Sequence, residues 1–188
     1  MTAPARLKTP RLYLRQWVVG DYAPFAAMNA DAEVMEFFPQ LLSREESDAM
    51  ADRIRKLITR LGWGLWVVEE KGTGAFTGFV GLHELSPDLP FAPGVEVGWR
   101  LARAYWGMGY ATEAATEALR YAFGTLQVTE VCSFASVINT RSRAVMGRLG
   151  MHDSGQNFDR PHIAARSPLR EHVLYRLTAA EWAATPAP

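Results

Sequence analysis

The sequence predicts an α/β domain in which helices pack on a mixed sheet. Strand-like alternation and helical spacing of apolar residues follow each other in the order β-α-α-β-β-β-α-β-α-β-β. No internal repeat or low-complexity linker interrupts this order. A length of 188 residues suits one domain with a sizeable core. We therefore expect a single domain over residues 1–188, with its core at about 8–182.

Composition limits the partners of this chain. Its formal net charge is zero at pH 7 and 48% of its residues are hydrophobic, which argues against nucleic acid or a membrane surface as a partner. A single cysteine, Cys132, excludes an internal disulfide, and no cysteine or histidine spacing suggests a metal site. No signal-peptide pattern and no bilayer-length apolar run occurs, so a reducing, cytoplasmic setting is the default expectation.

The first half of the chain predicts a strand, two helices and a hairpin. The run RLYLRQW alternates leucines with polar residues, as in a strand, and Asp21 is placed to cap a short helix. The run SREE, from Ser43 to Glu46, is a capping box that opens a longer helix. From Gly64 the pattern becomes that of two strands turning near residues 71–74.

The second half predicts three further strands with two helices between them. The strands are VEVGWRLA from Val95, EVCSFASV from Glu130, and EHVLYRLT near the end. A helix after Gly109 repeats alanine at i, i+3, i+4 and i+7, which suits close packing on a sheet. The run NTRSRAVMGRLG predicts a short helix that ends at Gly150.

Gly107 and Gly109, directly before the alanine-rich helix, allow three interpretations. The first is a tight turn that needs glycine for its backbone alone. The second is a phosphate cradle, because the first amides of a helix lack internal partners. The P-loop pattern is missing, and a dinucleotide fold fits poorly: Thr112 stands where a third small residue belongs, and Glu130 begins the next strand instead of ending it.

The third interpretation covers more of the chain. The runs WGMGYATEA and NTRSRAVMGRLGM resemble the GNAT superfamily of acyl-CoA-dependent N-acyltransferases, in particular its RimJ/RimL-like branch. TPRLYLRQW is similar to the first strand of that family, FVGLHEL to its third, VEVGWRLARAYWG to its fourth with the following loop, and LREHVLYRLTAAEW to the closing strand of the branch. The family loop Q/R-x-x-G-x-G/A is matched by Trp106, Gly107, Met108, Gly109, Tyr110 and Ala111, with Trp106 in place of Gln or Arg.

This resemblance implies a fold and a cosubstrate. The fold would be a mostly antiparallel sheet, splayed between the fourth and fifth strands and flanked by helices. Acetyl-CoA would bind without a metal, with its pyrophosphate on the amides of the glycine loop and its pantetheine arm along the fourth strand. The cofactor-binding residues that the resemblance implies are Trp99, Arg100, Leu101, Trp106, Gly107, Met108, Gly109, Tyr110, Ala111, Thr112, Asn139 and Ser142. Asn139 is equally a simple helix cap.

Two catalytic residues follow from the resemblance. Glu96 on the fourth strand is the candidate general base, although its alternation with Val95 and Val97 also allows a solvent-facing or structural carboxylate. His83 is a weaker candidate. Relatives often carry a tyrosine acid where this chain has Met146, so Ser142 is the candidate hydrogen-bond donor to the sulfur of CoA.

The implied reaction is transfer of an acetyl group to a primary amine by direct attack in a ternary complex. The acceptor would be a protein N-terminus, an amino acid or a small-molecule amine, bound between the first two helices and the proline-rich loop 86–94. Aromatic residues in these segments are Phe37, Phe38, Trp63, Trp66 and Phe91. A non-catalytic acyl-CoA sensor and an enzyme for larger acyl groups are the alternatives. Monomer and homodimer both remain open.

Overall fold

The computed structural model of the chain describes residues 3–160 and 162–184. The strands are β1 (Leu7–Lys8), β2 (Leu12–Arg15), β3 (Leu65–Glu70), β4 (Phe76–Glu84), β5 (Val95–Leu101), β6 (Glu130–Ser136), β7 (His152–Asp153), β8 (Phe158–Asp159) and β9 (Glu171–Thr178). The α-helices are α1 (Tyr22–Asn29), α2 (Arg44–Leu61), α3 (Tyr110–Gly124), α4 (Thr140–Arg148) and α5 (Ala179–Ala184). Two short 3-10 turns are Val19–Asp21 and Arg103–Tyr105.

The strands form one mixed, mostly antiparallel sheet. Their order is β1-β2-β3-β4-β5-β6-β9-β7, and β8 also pairs with β9. Antiparallel ladders join β1, β2, β3 and β4, and β9 is antiparallel to β6, β7 and β8. The parallel pair of β5 and β6 covers Val95 with Val131 and Glu96 with Cys132. So short a parallel ladder agrees with the splay that the resemblance to the GNAT family implies here.

The chain divides into two compact units. The first comprises the described residues up to Leu82 together with Gly98–Ala118, and thus contains α1, α2 and the glycine loop. Edge-on aromatic packing joins Trp17 to Phe25, with ring centres 4.8 Å apart. Fully buried side chains of this unit include Leu12, Leu14, Phe25, Ile58, Trp66, Val67, Val68, Val80 and Leu82.

The second unit comprises His83–Val97 and the described residues from Leu119 onward. It contains α4, β6 and β9, whose antiparallel ladder runs the full length of β6. Its buried cluster is formed by Leu85, Leu89, Cys132 and Leu174, with Phe91, Ala92, Phe134 and Phe158 packed against it. The prediction that residues 1–188 form a single domain stays a prediction.

Local sequence signals are confirmed at α2. The hydroxyl oxygen of Ser43 accepts a hydrogen bond from the amide of Glu46 at 3.1 Å, and the Glu46 carboxylate accepts one from the amide of Ser43 at 2.7 Å. This reciprocal pair is the predicted capping box. The helix ends at Gly62, which adopts a left-handed conformation with φ 84°.

The two later helices are confirmed as well. The buried face of α3 consists of Ala114, Ala115, Ala118, Leu119 and Ala122, all fully inaccessible to solvent. In α4, Met146 is buried, and Gly150 follows the helix with φ 79°. The short strands β1, β7 and β8 and the helix α5 were not individually anticipated.

Asp21 does not cap a helix through its side chain in the way the sequence suggests. Its carboxylate accepts a hydrogen bond from the amide of Val18, across the 3-10 turn that precedes α1. It also forms a two-pronged ion pair with Arg15, at 2.8 and 2.9 Å. Because this carboxylate is nearly fully buried, its main role is to neutralise the Arg15 guanidinium.

Candidate functional site

The glycine loop between β5 and α3 has an exposed backbone with open amides. Gly107 and Gly109 have φ 76° and 78°, in the left-handed region that favours glycine. The first hydrogen bond inside α3 runs from the amide of Glu113 to the carbonyl of Gly109, at 3.0 Å. The amides of Tyr110, Ala111 and Thr112 therefore have no carbonyl one turn earlier to bind. Such amides, with the positive end of the helix dipole, form an anion-binding site.

Trp106, which replaces the usual Gln or Arg of the family loop, fixes one end of the loop. Its indole Nε1–H donates to the carbonyl oxygen of Leu101, the last residue of β5, at 2.8 Å. This bond closes the 3-10 turn Arg103–Tyr105 between the strand and the loop. Trp106 is thus structural in this chain, and the Leu101 carbonyl already holds one hydrogen bond.

No sequence pattern indicates the residues that brace the start of α3. The Glu113 carboxylate accepts hydrogen bonds from the hydroxyl of Thr9 at 2.5 Å and from the amide and guanidinium of Arg11 at 2.9 and 2.6 Å. Burial raises the pKa of Glu113, but these hydrogen bonds outweigh it and leave the pKa below its ordinary value. The Arg11 guanidinium also lies over the ring of Tyr110, 4.6 Å from its centre.

Arg11 also approaches the loop itself. Its Nη2 atom lies 3.5 Å from the position that a Cβ on Gly109 would occupy. Because Arg11 and Glu113 are about a hundred positions apart in sequence, no local pattern signals their pairing. Their ion pair joins the residue directly before β2 to the first turn of α3, next to the open helix amides.

Glu96 on β5 combines a carboxyl group with an apolar environment. Loss of hydration on burial raises its pKa from 4.5 to about 7, and the positive charge of Arg160 only partly opposes this effect. Its direct neighbour on β6 is Cys132, whose partners on the same buried cluster are apolar. Glu96 as a whole residue is half-buried, whereas its carboxyl group is the part that burial deprives of water.

Burial keeps two other titratable groups, the Cys132 thiol and the His172 imidazole, in their neutral forms. Burial, together with the charge of Glu96, raises the pKa of the Cys132 thiol to about 12, so this thiol stays protonated and unreactive. Burial lowers the pKa of His172, which therefore favours the neutral imidazole. His83, the weaker candidate base, lies exposed on β4.

Asn139 and Ser142 lie at the start of α4. Asn139 is the N-cap: its side-chain oxygen accepts a hydrogen bond from the amide of Ser142 at 3.0 Å. This confirms the capping interpretation and uses only the oxygen of the side-chain amide. Ser142 is half-buried, whereas Met146 is 1% exposed and belongs to the core. The position of the family tyrosine is therefore occupied by a packing residue.

Arg100 differs from the other predicted cofactor residues. The residue is buried, with 9% of its surface exposed, and its Nη1 donates to the side-chain oxygen of Asn29 at 2.6 Å. Trp99 and the loop residue Met108 retain accessible surface, Met108 being 47% exposed.

Of the aromatic acceptor candidates, Trp66 belongs to the core, Phe91 packs with Phe134 and Phe158, and Phe38 is 37% exposed.

Other kinds of site receive no support from the described part of the chain. Within residues 3–160 and 162–184, no group of three or more His, Cys, Asp or Glu side chains is placed to hold a metal ion. Over the same residues, no helix combines the length and hydropathy required to cross a bilayer.

Comparison with known proteins assigns the family. The model of the acetyltransferase (GNAT) domain matches residues 11–152. An uncharacterized protein of Bacillus subtilis, YkkB, is 30% identical over 155 residues, covering 82% of this chain and 89% of its own. The FsC-acetyl coenzyme A-N(2)-transacetylase of Aspergillus fumigatus is 30% identical over 166 residues, covering 82% of this chain and 68% of its own.

A solved structure with the same fold supports this assignment. Mycobacterium smegmatis RimJ, in complex with CoA-disulfide, superposes with a TM-score of 0.71 at 21% identity, covering 94% of this chain and 87% of RimJ. The chain belongs to the GNAT family of acetyltransferases, and is by that membership an acyl-CoA-dependent acyltransferase. The family, the fold and the enzyme class predicted from the sequence are confirmed, and RimJ is among the proteins that share the fold.

Proposed function

We propose that this protein transfers an acetyl group from acetyl-CoA to a primary amine by direct attack in a ternary complex. The observation that carries the proposal is the open set of amides at the start of α3, behind two glycines with positive φ. An incoming pyrophosphate meets no Cβ at Gly107 or Gly109, and it gains the helix dipole. Family membership and the CoA adduct in the RimJ structure support the choice of ligand.

The cofactor residues of the proposal are those that match the family. The amides of Met108, Gly109, Tyr110, Ala111 and Thr112 bind the pyrophosphate. The backbone of Trp99, Arg100 and Leu101 pairs with the pantetheine arm, the side-chain NH₂ of Asn139 donates to that arm, and the Ser142 hydroxyl donates to the sulfur. The bond from Trp106 to Leu101 supports the loop side of this arrangement.

Glu96 is the general base of the proposed reaction. An amine attacks the thioester carbonyl carbon only when neutral, so its ammonium form must first lose a proton. A carboxylate with a pKa of about 7 is ionised enough at neutral pH to accept that proton, directly or through water. The new C–N bond forms as the C–S bond breaks, and CoA leaves as a thiolate that is stabilised by Ser142.

The acceptor is a protein N-terminus, an amino acid or a small-molecule amine. Met146 favours one alternative, a non-catalytic acyl-CoA sensor, because a buried methionine cannot protonate the leaving group. An N-acyltransferase for larger acyl groups is the other alternative.

Calorimetric titration with CoA and acetyl-CoA tests the cofactor assignment. Gly109→Glu places a side chain and a negative charge at the loop and is expected to abolish binding. Gly72→Glu is the matched control, since a Cβ at Gly72 meets no atom within 4 Å in an exposed hairpin turn. Absence of binding to the wild type, or equal binding by both variants, contradicts the proposal.

Thiol release with a panel of primary amines then tests catalysis. Turnover with acetyl-CoA that is lost in Glu96→Gln supports the enzyme. Tight binding of acetyl-CoA without CoA release from any amine favours the sensor. Faster turnover with a longer acyl-CoA than with acetyl-CoA favours the larger acyl donor.

A further inference from the structure

Arg100 carries a buried positive charge that the described residues do not neutralise. Within residues 3–160 and 162–184, no carboxylate forms a hydrogen bond or an ion pair with its guanidinium. Its Nε–H is inaccessible and has no hydrogen-bond partner. Loss of hydration lowers the pKa of Arg100 to about 10, and no anion offsets it. Arg15 differs: it is only partly buried, with 18% of its side chain exposed, and it is paired with both Asp21 and Glu69.

The neighbours of Arg100 hold the guanidinium in place without neutralising it. Asn29, fully buried in α1, accepts from Nη1 through its side-chain oxygen and donates its NH₂ to the hydroxyl of Ser47, at 2.9 Å. This chain of hydrogen bonds fixes the direction of the Asn29 amide. The rings of Phe38 and Phe79 lie 4.0 and 5.5 Å from the guanidinium carbon. An aromatic face stabilises a buried cation less than a hydrogen-bonded anion does.

The Nε–H of Arg100, which has no hydrogen-bond partner, lies on the edge of the guanidinium with which arginine binds carboxylates. A guanidinium presents Nε–H and Nη2–H as a planar fork that matches the two oxygens of a carboxylate. Asn29 occupies Nη1, at the other side of the group. A buried cation without a counter-ion lowers stability, so its presence is explained when a ligand supplies the anion.

We propose that Arg100 binds a carboxylate group of the amine acceptor, so that the substrates are amino acids or peptides with a free carboxylate. The inference rests on the proposed transferase function and specifies its acceptor. The contacts of Arg100 favour the acceptor over a phosphate of CoA as the source of the anion: they lie on α1, on the segment between α1 and α2, and on β4, and none is with the glycine loop. Phe38, which covers the guanidinium and is 37% exposed, is the residue that must shift to admit the ligand.

The test compares matched pairs of amines that differ only in a carboxylate or a carboxamide. Suitable pairs are phenylalanine with phenylalaninamide, 4-aminobutyrate with its amide, and glycyl-phenylalanine with its amide. We expect kcat/KM to be at least about tenfold higher for the acid in at least one pair, because charge-assisted hydrogen bonds are roughly twice as strong as neutral ones. This acid-to-amide ratio should fall to about one in Arg100→Met and to an intermediate value in Arg100→Lys, which keeps the charge without the fork.

A neighbouring arginine serves as the matched control. Arg103 is exposed and paired with Glu33 at 2.6 Å, so Arg103→Gln removes a positive charge nearby without touching the buried one. The acid-to-amide ratio of Arg103→Gln should equal that of the wild type. Using a ratio within each variant cancels any general loss of turnover.

Thermal unfolding separates a ligand-binding role from a structural one. Arg100→Met replaces an unneutralised buried cation by an apolar side chain of similar length, so the melting temperature should stay equal or rise. A clear fall in melting temperature with an unchanged acid-to-amide ratio marks the guanidinium as a structural brace and overturns the proposal. Equal kcat/KM for acids and amides in the wild type overturns it as well.

Two further outcomes are decisive. If acetyl-CoA binds but no pair is turned over, binding of the same compounds to the CoA-loaded protein is measured by calorimetry. The proposal is overturned if none of the acids binds more tightly than its amide. If Arg100→Met weakens acetyl-CoA binding but leaves the acid-to-amide ratio unchanged, a cofactor phosphate is the anion, and the proposal is again wrong. Failure of the wild type to bind acetyl-CoA instead contradicts the transferase function itself.

Discussion

Replacing Glu96 by glutamine should stabilise the protein at alkaline pH while it removes activity. Burial raises the pKa of this carboxyl from 4.5 to about 7. Below pH 4.5 the group is protonated in both the folded and the unfolded chain. Between pH 4.5 and 7 only the unfolded chain releases the proton, so the free energy of unfolding falls as the pH rises. At about 1.4 kcal/mol per pKa unit, the loss is about 3 kcal/mol above pH 7.

Urea unfolding of the wild type and Glu96→Gln, measured from pH 4.5 to 8.5, tests this magnitude. The advantage of the variant should be absent at the acid end and grow to about 3 kcal/mol above pH 7, because glutamine cannot ionise. Glu84→Gln is the matched control: Glu84 is exposed at the end of β4, and its replacement should change stability little at any pH. A difference that does not vary with pH refutes the reasoning that burial suppresses ionisation of Glu96.

Activity gives an independent readout of the same substitution. For the wild type, kcat/KM with a given amine should rise with pH through about 7, as Glu96 becomes able to accept a proton. Glu96→Gln should lower kcat by roughly 100-fold or more, which is typical for loss of a general base. A variant that gains stability but keeps its turnover shows a buried carboxyl that is not the base.

Three further substitutions probe the supports of the site. Glu113→Gln weakens the charge-assisted hydrogen bonds between Glu113 and Arg11, so calorimetry should give a several-fold weaker affinity for acetyl-CoA. An unchanged affinity would argue against a role of this pair in holding the first turn of α3. Met146→Tyr should lower the free energy of unfolding by about 1–3 kcal/mol, because the larger side chain overpacks a buried position. The rate of thiol release should not increase, and a faster variant would show that this position reaches the leaving group. Gly81→Ala places a Cβ 2.0 Å from the carbonyl oxygen of Gly64, which directly precedes β3, so urea unfolding should show a loss of several kcal/mol. Near wild-type stability would contradict the close approach of Gly81 to this carbonyl.

The order of elements and the local turns could be predicted because they depend on residues close in sequence. The capping box of Ser43 and Glu46 joins groups three residues apart, and the alanine face of α3 follows from the period of the helix. Gly107 and Gly109 have the positive φ that glycine tolerates. These features predict a helix start whose amides are open to an anion. The resemblance to the GNAT family then indicates which anion.

The charges at the site could not be predicted from sequence because burial depends on distant residues. Alternation along β5 left Glu96 free to face solvent, whereas its packing beside Cys132 raises its pKa towards neutrality. The sequence suggested only a backbone role for Arg100, but α1 and Phe38 enclose its side chain without a counter-ion. By itself, the sequence determined which elements form and where the backbone is left open. Only the tertiary structure decided which charges lose their water, because desolvation is set by every residue that packs around a group, wherever it lies in the chain.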